Sequence, residues 1–285
     1  MPRFICVEQG SSEWLELRKN CITATDIATI LGINPYKTPY QLWQEKLGLK
    51  EPEPENDAMR RGKLLEPIAL DTYCALKKKA YDSAVVTHES YPWAMASLDG
   101  VSDDALSIVE IKCMGKANHD EAISGHVKPF YNAQMQWQMF VTGLYECDYF
   151  VFSEESHKVI TIQRDQELIN QMIVAAEAFL KALQTITPPA LTDKDYVDRS
   201  GDPYLEELFS AYHSANAQLK ELEIRCASYK AAIVKYCDDQ SSRCNGGKIT
   251  RVTTKGRVQY DKIPELDGID LEPYRGKEIV SYRIT

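Results

Sequence analysis

Asp99, Glu110 and Lys112 are the residues whose types and spacing most directly suggest chemistry. They sit in the stretches Ser97-Leu98-Asp99-Gly100 and Val109-Glu110-Ile111-Lys112. Side chains alternate along a strand, so Glu110 and Lys112 share one face and Ile111 takes the other. Asp99-Gly100 reads as a turn that brings a second carboxylate towards that face. Two converging carboxylates suit a hard divalent cation, which prefers oxygen ligands and retains several waters. A lysine beside them orients or deprotonates a bound water, which is the chemistry of phosphodiester cleavage. The same letters have a plainer reading, an Asp-Gly hairpin turn and a solvated Glu–Lys pair. The apolar frame of Ala105, Leu106, Ile108, Val109 and Ile111 argues for a strand buried on both sides, where a charge needs a partner or a metal.

The elements that must position these residues read as an α/β chain. Ser11 opens a short capped helix through Arg18, and Thr25-Asp26 offers a cap for a second one. Pro39 to Leu47 is expected to be helical and closed by Gly48. Apolar residues recur at helical spacing from Ala58 to Lys79, and Glu66 stands apart from the other charges on that helix. Strands follow over 84–88, 93–97 and 106–112. A helix over 129–141, a hairpin over 145–163 turning at Glu154-Glu155-Ser156, and an amphipathic helix over 165–183 complete a mixed sheet flanked by helices. Thr187-Pro188-Pro189 opens a connection to a long helix over 203–236 and short strands near 249–253, 258–260 and 279–284.

At 285 residues the chain can bury a substantial core. No apolar run reaches the ~20 residues that span a bilayer, and the N-terminus has no signal-peptide pattern, so a cytoplasmic protein is expected. A net charge of −9 argues against nonspecific coating of nucleic acid, but not against a local grip. Residues 243–285 run the other way, with nine Lys and Arg against six Asp and Glu. Lys248, Arg251, Lys255, Arg257, Arg275, Lys277 and Arg283 could touch duplex phosphate or simply be solvated. Eight cysteines are spread along the chain without C-x2-C spacing, which suggests free, mostly buried thiols in a reducing compartment.

The ordered words Glu13-Trp14-Leu15-Glu16-Leu17-Arg18, Ile22-Thr23-Ala24-Thr25-Asp26, Arg61-Gly62-Lys63-Leu64-Leu65-Glu66, Ser97-Leu98-Asp99-Gly100, Glu110-Ile111-Lys112-Cys113 and Ala133-Gln134-Met135-Gln136 resemble the YqaJ-like viral recombinase family. That family is similar to phage lambda exonuclease, within the PD-(D/E)XK nuclease superfamily. Leu98 stands where the superfamily name has proline. The resemblance implies a restriction-endonuclease-like core over 1–186 and a helical extension with a small β unit over 187–285. It implies Asp99, Glu110, the Ile111 carbonyl and Glu66 as ligands for two Mg²⁺ or Mn²⁺ ions, with Lys112 positioning or activating the attacking water. Gln134 would reach the lysine or the scissile phosphate, with Gln136 and Tyr131 as further candidates on the same helix. Arg18 and Thr25 would hold a 5′-terminal phosphate; their ordinary readings are a solvated arginine and a helix cap.

The implied activity is 5′→3′ digestion of one strand at double-stranded DNA ends, leaving 3′ overhangs for a single-strand annealing protein. A homo-oligomer, specifically a trimeric ring, and a phage or prophage setting in a bacterial cell come with it. A structure- or site-specific endonuclease on the same fold and a catalytically silent DNA-end-binding protein are the competing expectations.

Overall fold

The computed structural model describes residues 2–51, 54–238 and 240–251. The chain divides into two compact units, Met1–Asp198 and Arg199–Thr285. The first holds β1 (Arg3–Ile5), α1 (Ser12–Asn20), β2 (Ile22–Thr23), α2 (Ala24–Ile30), α3 (Pro39–Lys46), α4 (Asp57–Lys77), β3 (Tyr81–Thr87), β4 (Ala94–Ser102), β5 (Ile108–Lys112), α5 (Lys116–Ile123), α6 (Pro129–Thr142), β6 (Glu146–Phe152), β7 (His157–Gln163) and α7 (Gln166–Gln184). The second holds α8 (Pro203–Tyr236) and a hairpin of β8 (Ser242–Cys244) and β9 (Gly247–Ile249). The strand expected at 249–253 ends at Ile249, before 250–251. The last two residues of that stretch, and the strands expected at 258–260 and 279–284, lie outside the described residues. So do Lys255, Arg257, Arg275, Lys277 and Arg283.

One mixed sheet runs β1-β3-β4-β5-β6-β7, with the short β2 added parallel to β4. Most pairs are antiparallel, but β5 and β6 run parallel and are joined through α5 and α6, as a parallel pair requires a crossover. Two apolar layers cover the sheet. The larger joins α2, α3, α6 and α7 to Leu98 and Ile108. The smaller sets Ala69 and Tyr73 of α4 against Val109 and Ile111. Alternation along β5 therefore turns Val109 and Ile111 to the smaller layer and Ile108, Glu110 and Lys112 to the opposite face.

Local chemistry accounts for the helix bounds. Ser11, Asn56, Asp165 and Asp202 each accept a first-turn amide, and Pro39, Pro129 and Pro203 occupy the first helical position, where no amide hydrogen is needed. Thr23, not Thr25, caps α2, because its hydroxyl and Asp26 satisfy each other's backbone in a capping box. The stretch after α7 stays with the first unit. Thr38 Oγ1 donates to Asp195 at 2.5 Å and Lys194 Nζ to the Pro35 carbonyl at 2.8 Å.

Three expectations change. Asp99-Gly100 is not a turn but lies inside β4. Ala105 and Leu106 belong to the β4–β5 turn, with Leu106 exposed, so the buried strand begins only at Ile108. Of the eight cysteines only Cys21 and Cys147 are buried, while Cys6, Cys226 and Cys244 are exposed.

Candidate active site

A break in strand regularity builds the site. Ala84 pairs with Leu98 and Asp82 with Val101, so Asp99 and Gly100 together oppose Ser83 alone. Two residues facing one is a β-bulge, which kinks the strand and re-aims a side chain. Gln9 Nε2 reaches across it to the Leu98 carbonyl at 3.3 Å. Glycine is required here for closeness: a Cβ at position 100 would stand 2.7 Å from Val109 Cγ1. On its other side β4 pairs with β5 only at Gly100–Val109 and Val101–Ile108. Past that point the strands part, and the Ile111 amide donates to Asp99 Oδ2 at 2.8 Å in place of a ladder partner.

Glu110 is fully buried. Its Oε1 accepts from Lys112 Nζ and, at 2.6 Å, from Gln134 Nε2. Its Oε2 accepts from Gln138 Nε2 at 2.5 Å. Gln134 and Gln138 are four residues apart on α6 and so share a helix face, whereas Gln136 lies between them on another. Gln136 instead binds the Gln163 carbonyl at 2.8 Å and the Asp165 amide at 2.7 Å, fixing the start of α7. It is a buried structural glutamine and is not brought to Glu110. The Tyr131 ring lies 5.3 Å from Lys112 Nζ, a cation–π distance.

The electrostatics show a surplus of negative charge. Burial lifts the Asp99 carboxyl well above the usual range, Glu110 and Glu66 lift it further, and Lys112 opposes them. Burial also raises Glu66, with Glu110 adding to it and Lys112 again opposing. Burial pulls the Lys112 ammonium down, but Glu110 and Asp99 outweigh it and hold it protonated above its ordinary range. Cys113, beside the lysine, is pushed up to about 11 by burial and by Glu66. Among the described residues no three His, Cys, Asp or Glu side chains form a ready metal cage. The donors nevertheless fit a hard divalent cation: carboxylate oxygens on strands that part, carrying more negative charge than one ammonium offsets.

A second polar group lies at α1 and α2. Arg18 Nη2 donates to Thr25 Oγ1 at 3.0 Å, and Thr25 Oγ1 stands 3.0 Å from Thr23 Oγ1. The Arg18 guanidinium covers the Trp14 ring at 4.5 Å, and Trp14 Nε1 donates to Ser97 Oγ at 3.0 Å. Ser97 is two residues before Asp99, and its carbonyl accepts from Gln138 Nε2 at 3.4 Å. Thus one strand position links the Arg18 group to the Glu110 group. Beneath it, Lys46 Nζ ties three elements together, reaching Asp26 Oδ2 at 2.7 Å, the Arg18 carbonyl at 2.5 Å and the Cys21 carbonyl at 2.6 Å.

Sequence reasoning missed Gln138 and Lys46. The i,i+4 repeat of Gln134 and Gln138 was an available signal for the first. Nothing local announces Lys46, whose partners come from segments twenty or more residues away.

Residues 13–145 match the YqaJ-like viral recombinase domain. The protein YqaJ of Bacillus subtilis (strain 168) is 32% identical over 176 residues, which is 60% of this chain. The chain spans about half of that relative, 55% of its length. The crystal structure of LHK-Exo in complex with dAMP is 29% identical and superposes with a TM-score of 0.55, covering 62% of this chain and 94% of that one. The structure of LHK-Exo, an alkaline exonuclease from Laribacter hongkongensis, gives 28% identity and 0.54 over the same shares.

Proposed function

From a chain that carries a YqaJ-like viral recombinase domain over residues 13–145, we propose a metal-dependent exonuclease acting on double-stranded DNA ends. The observation that carries this reading is the pairing of Asp99, re-aimed by a bulge, with buried Glu110 beside Lys112 where β4 and β5 part. We read it as the centre of a PD-(D/E)XK core over residues 1–186, with 187–285 as an extension whose first stretch, up to Asp198, packs back on that core. Resemblance to an alkaline exonuclease supports the same reading.

Asp99, Glu110 and the Ile111 carbonyl would hold Mg²⁺ or Mn²⁺, with Glu66 supporting a second ion. Bound there, such ions supply an activated water and offset charge on a phosphate. The remaining work belongs to the chain. Lys112, bonded to Glu110, acts as a donor that orients water and phosphate oxygen. Gln134 and Gln138 hold the Glu110 carboxylate in one orientation. Tyr131 walls the lysine from solvent on one side.

Arg18 and Thr25 would grip a 5′-terminal phosphate, since a guanidinium forks onto phosphate oxygens and the hydroxyl adds a donor. A strand held by its end phosphate is shortened stepwise without base readout. This gives 5′→3′ polarity and 3′ overhangs, the substrate of a single-strand annealing protein. A ring-shaped trimer in the cytoplasm of a phage-carrying bacterium fits that role.

The test is digestion of linear duplex carrying 5′-phosphate or 5′-hydroxyl ends, with a closed circle and the Asp99→Asn variant alongside. Stepwise loss from phosphorylated 5′ ends, absent in the variant, is the expected result. Cutting of the closed circle would replace the reading with an endonuclease, and metal-independent binding without product would replace it with an end-binding protein.

A further inference from the structure

Helix α8 buries none of its 34 residues. At 1.5 Å per residue it extends about 51 Å, and a helix this long with apolar side chains in water ordinarily has a partner. Its pattern says which kind. Starting at Leu205 and stepping alternately by three and four residues, ten successive positions ending at Tyr236 are apolar or small. The central pair, Leu219 and Leu222, is more than half exposed, and Tyr236 is 91% exposed. A 3.5-residue repeat held over this length is the seam of a left-handed two-stranded coiled coil. Ile224 and Val234, the other branched aliphatic residues of α8, fall off this seam.

We propose that α8 pairs with α8 of a second copy of this chain, antiparallel and fully overlapped. The alternating repeat reads the same in both directions about a midpoint between Lys220 and Glu221, so the seam is complementary to itself. Charge sets the direction. Residues 203–219 carry Glu206 and Glu207 and no Lys or Arg, while residues 220–236 carry Lys220, Arg225, Lys230 and Lys235 against Glu221 and Glu223. An antiparallel pair lays the acidic half of each helix against the basic half of the other, and opposes the two helix dipoles. A parallel pair would place like halves together and set Arg225 beside Lys230 of the second copy. The antiparallel register sets Arg225 beside Gln218, and Glu223 beside Asn216. It also meets Leu219 with Leu222, Tyr212 with Tyr229, and Ala215 with Cys226.

That last layer supplies the test on the full chain. The mass is measured by sedimentation velocity for the unmodified protein, for Leu219→Glu with Leu222→Glu, and for Ala217→Glu on the outer face. The expected result is a two-fold fall in assembly mass for the seam variant, from two paired rings to one ring under the trimer proposed above, and none for the outer-face one. Under mild oxidation, Ala215→Cys is expected to give an interchain disulfide that disappears when Cys226→Ser is added. A single-chain mass for the unmodified protein, or a mass that the seam variant leaves unchanged, overturns the pairing. A Cys226–Cys226 link in the unmodified chain, or no link with Ala215→Cys, overturns the antiparallel register.

Discussion

Replacing Lys46 by methionine removes the ammonium that holds Asp26, the Arg18 carbonyl and the Cys21 carbonyl in one place. The Lys46 and Asp26 side chains are 7% and 8% exposed, so water cannot replace the lost partner. Breaking a buried pair from one side costs about 3–5 kcal/mol, because the remaining charge is left uncompensated. For a unit of this size each kcal/mol shifts Tm by about 2–4 °C, so a fall of roughly 6–20 °C is expected. The pH dependence has a definite sign. Burial alone would raise Asp26, but Lys46 and Arg18, with the hydrogen bond from Lys46 and the Thr23 amide, outweigh it and hold the carboxyl below its ordinary value. A depressed carboxyl contributes stability above the unfolded value of about 3.9 and loses it as pH falls through the folded one. Urea unfolding of the wild type and Asp26→Asn should therefore differ at pH 7 and converge in strong acid. A Lys46→Met loss below about 1 kcal/mol, or a difference that stays level into strong acid, would refute the reasoning.

Gly100→Ala should cost about 1–3 kcal/mol by urea unfolding, because the new Cβ meets Val109 Cγ1 at 2.7 Å and Leu70 Cδ1 at 3.0 Å, and cleavage should fall as Asp99 is displaced. Gln138→Met should lower cleavage by about 10–100-fold through loss of the Glu110 Oε2 donor. Gln136→Met, which cuts the α6–α7 tie, should lower Tm while leaving cleavage at its permissive-temperature level. Lys112→Met should reduce turnover by about 10²–10⁴-fold with DNA affinity measured by anisotropy little changed. Saturating Mn²⁺ should raise Tm, by about 2.7 kcal/mol of stabilisation at a hundredfold excess over Kd, and chelation or Asp99→Asn should abolish the rise.

Much of the framework is legible from local signals. Helices α3, α4, α6 and α7, and the β6–β7 hairpin, fall within about two residues of their expected bounds, because caps, prolines and 3.6-residue periodicity act at short range. Glu110 and Lys112 also emerge as a strand pair from alternation alone. What stays hidden depends on the rest of the molecule. Asp-Gly is written the same way in a turn and in a bulge, and only the pairing with Ser83 decides between them. Strands β1 and β2 have three and two residues, too few for any period to register. Gln136 and Gln138 are chemically identical, and the backbone that claims the first lies at Gln163 and Asp165, beyond the helix.

The bulge in β4 has a bearing on how such a site can vary. Deleting one residue at 99–100 would let β4 pair with β3 without interruption, giving a more regular sheet. That tidier protein would no longer carry a carboxylate aimed at the gap beside Glu110. Under the proposed function, stability and activity pull in opposite directions at this one position. Variants selected for robustness alone would drift towards the regular strand and give up the carboxylate beside Glu110.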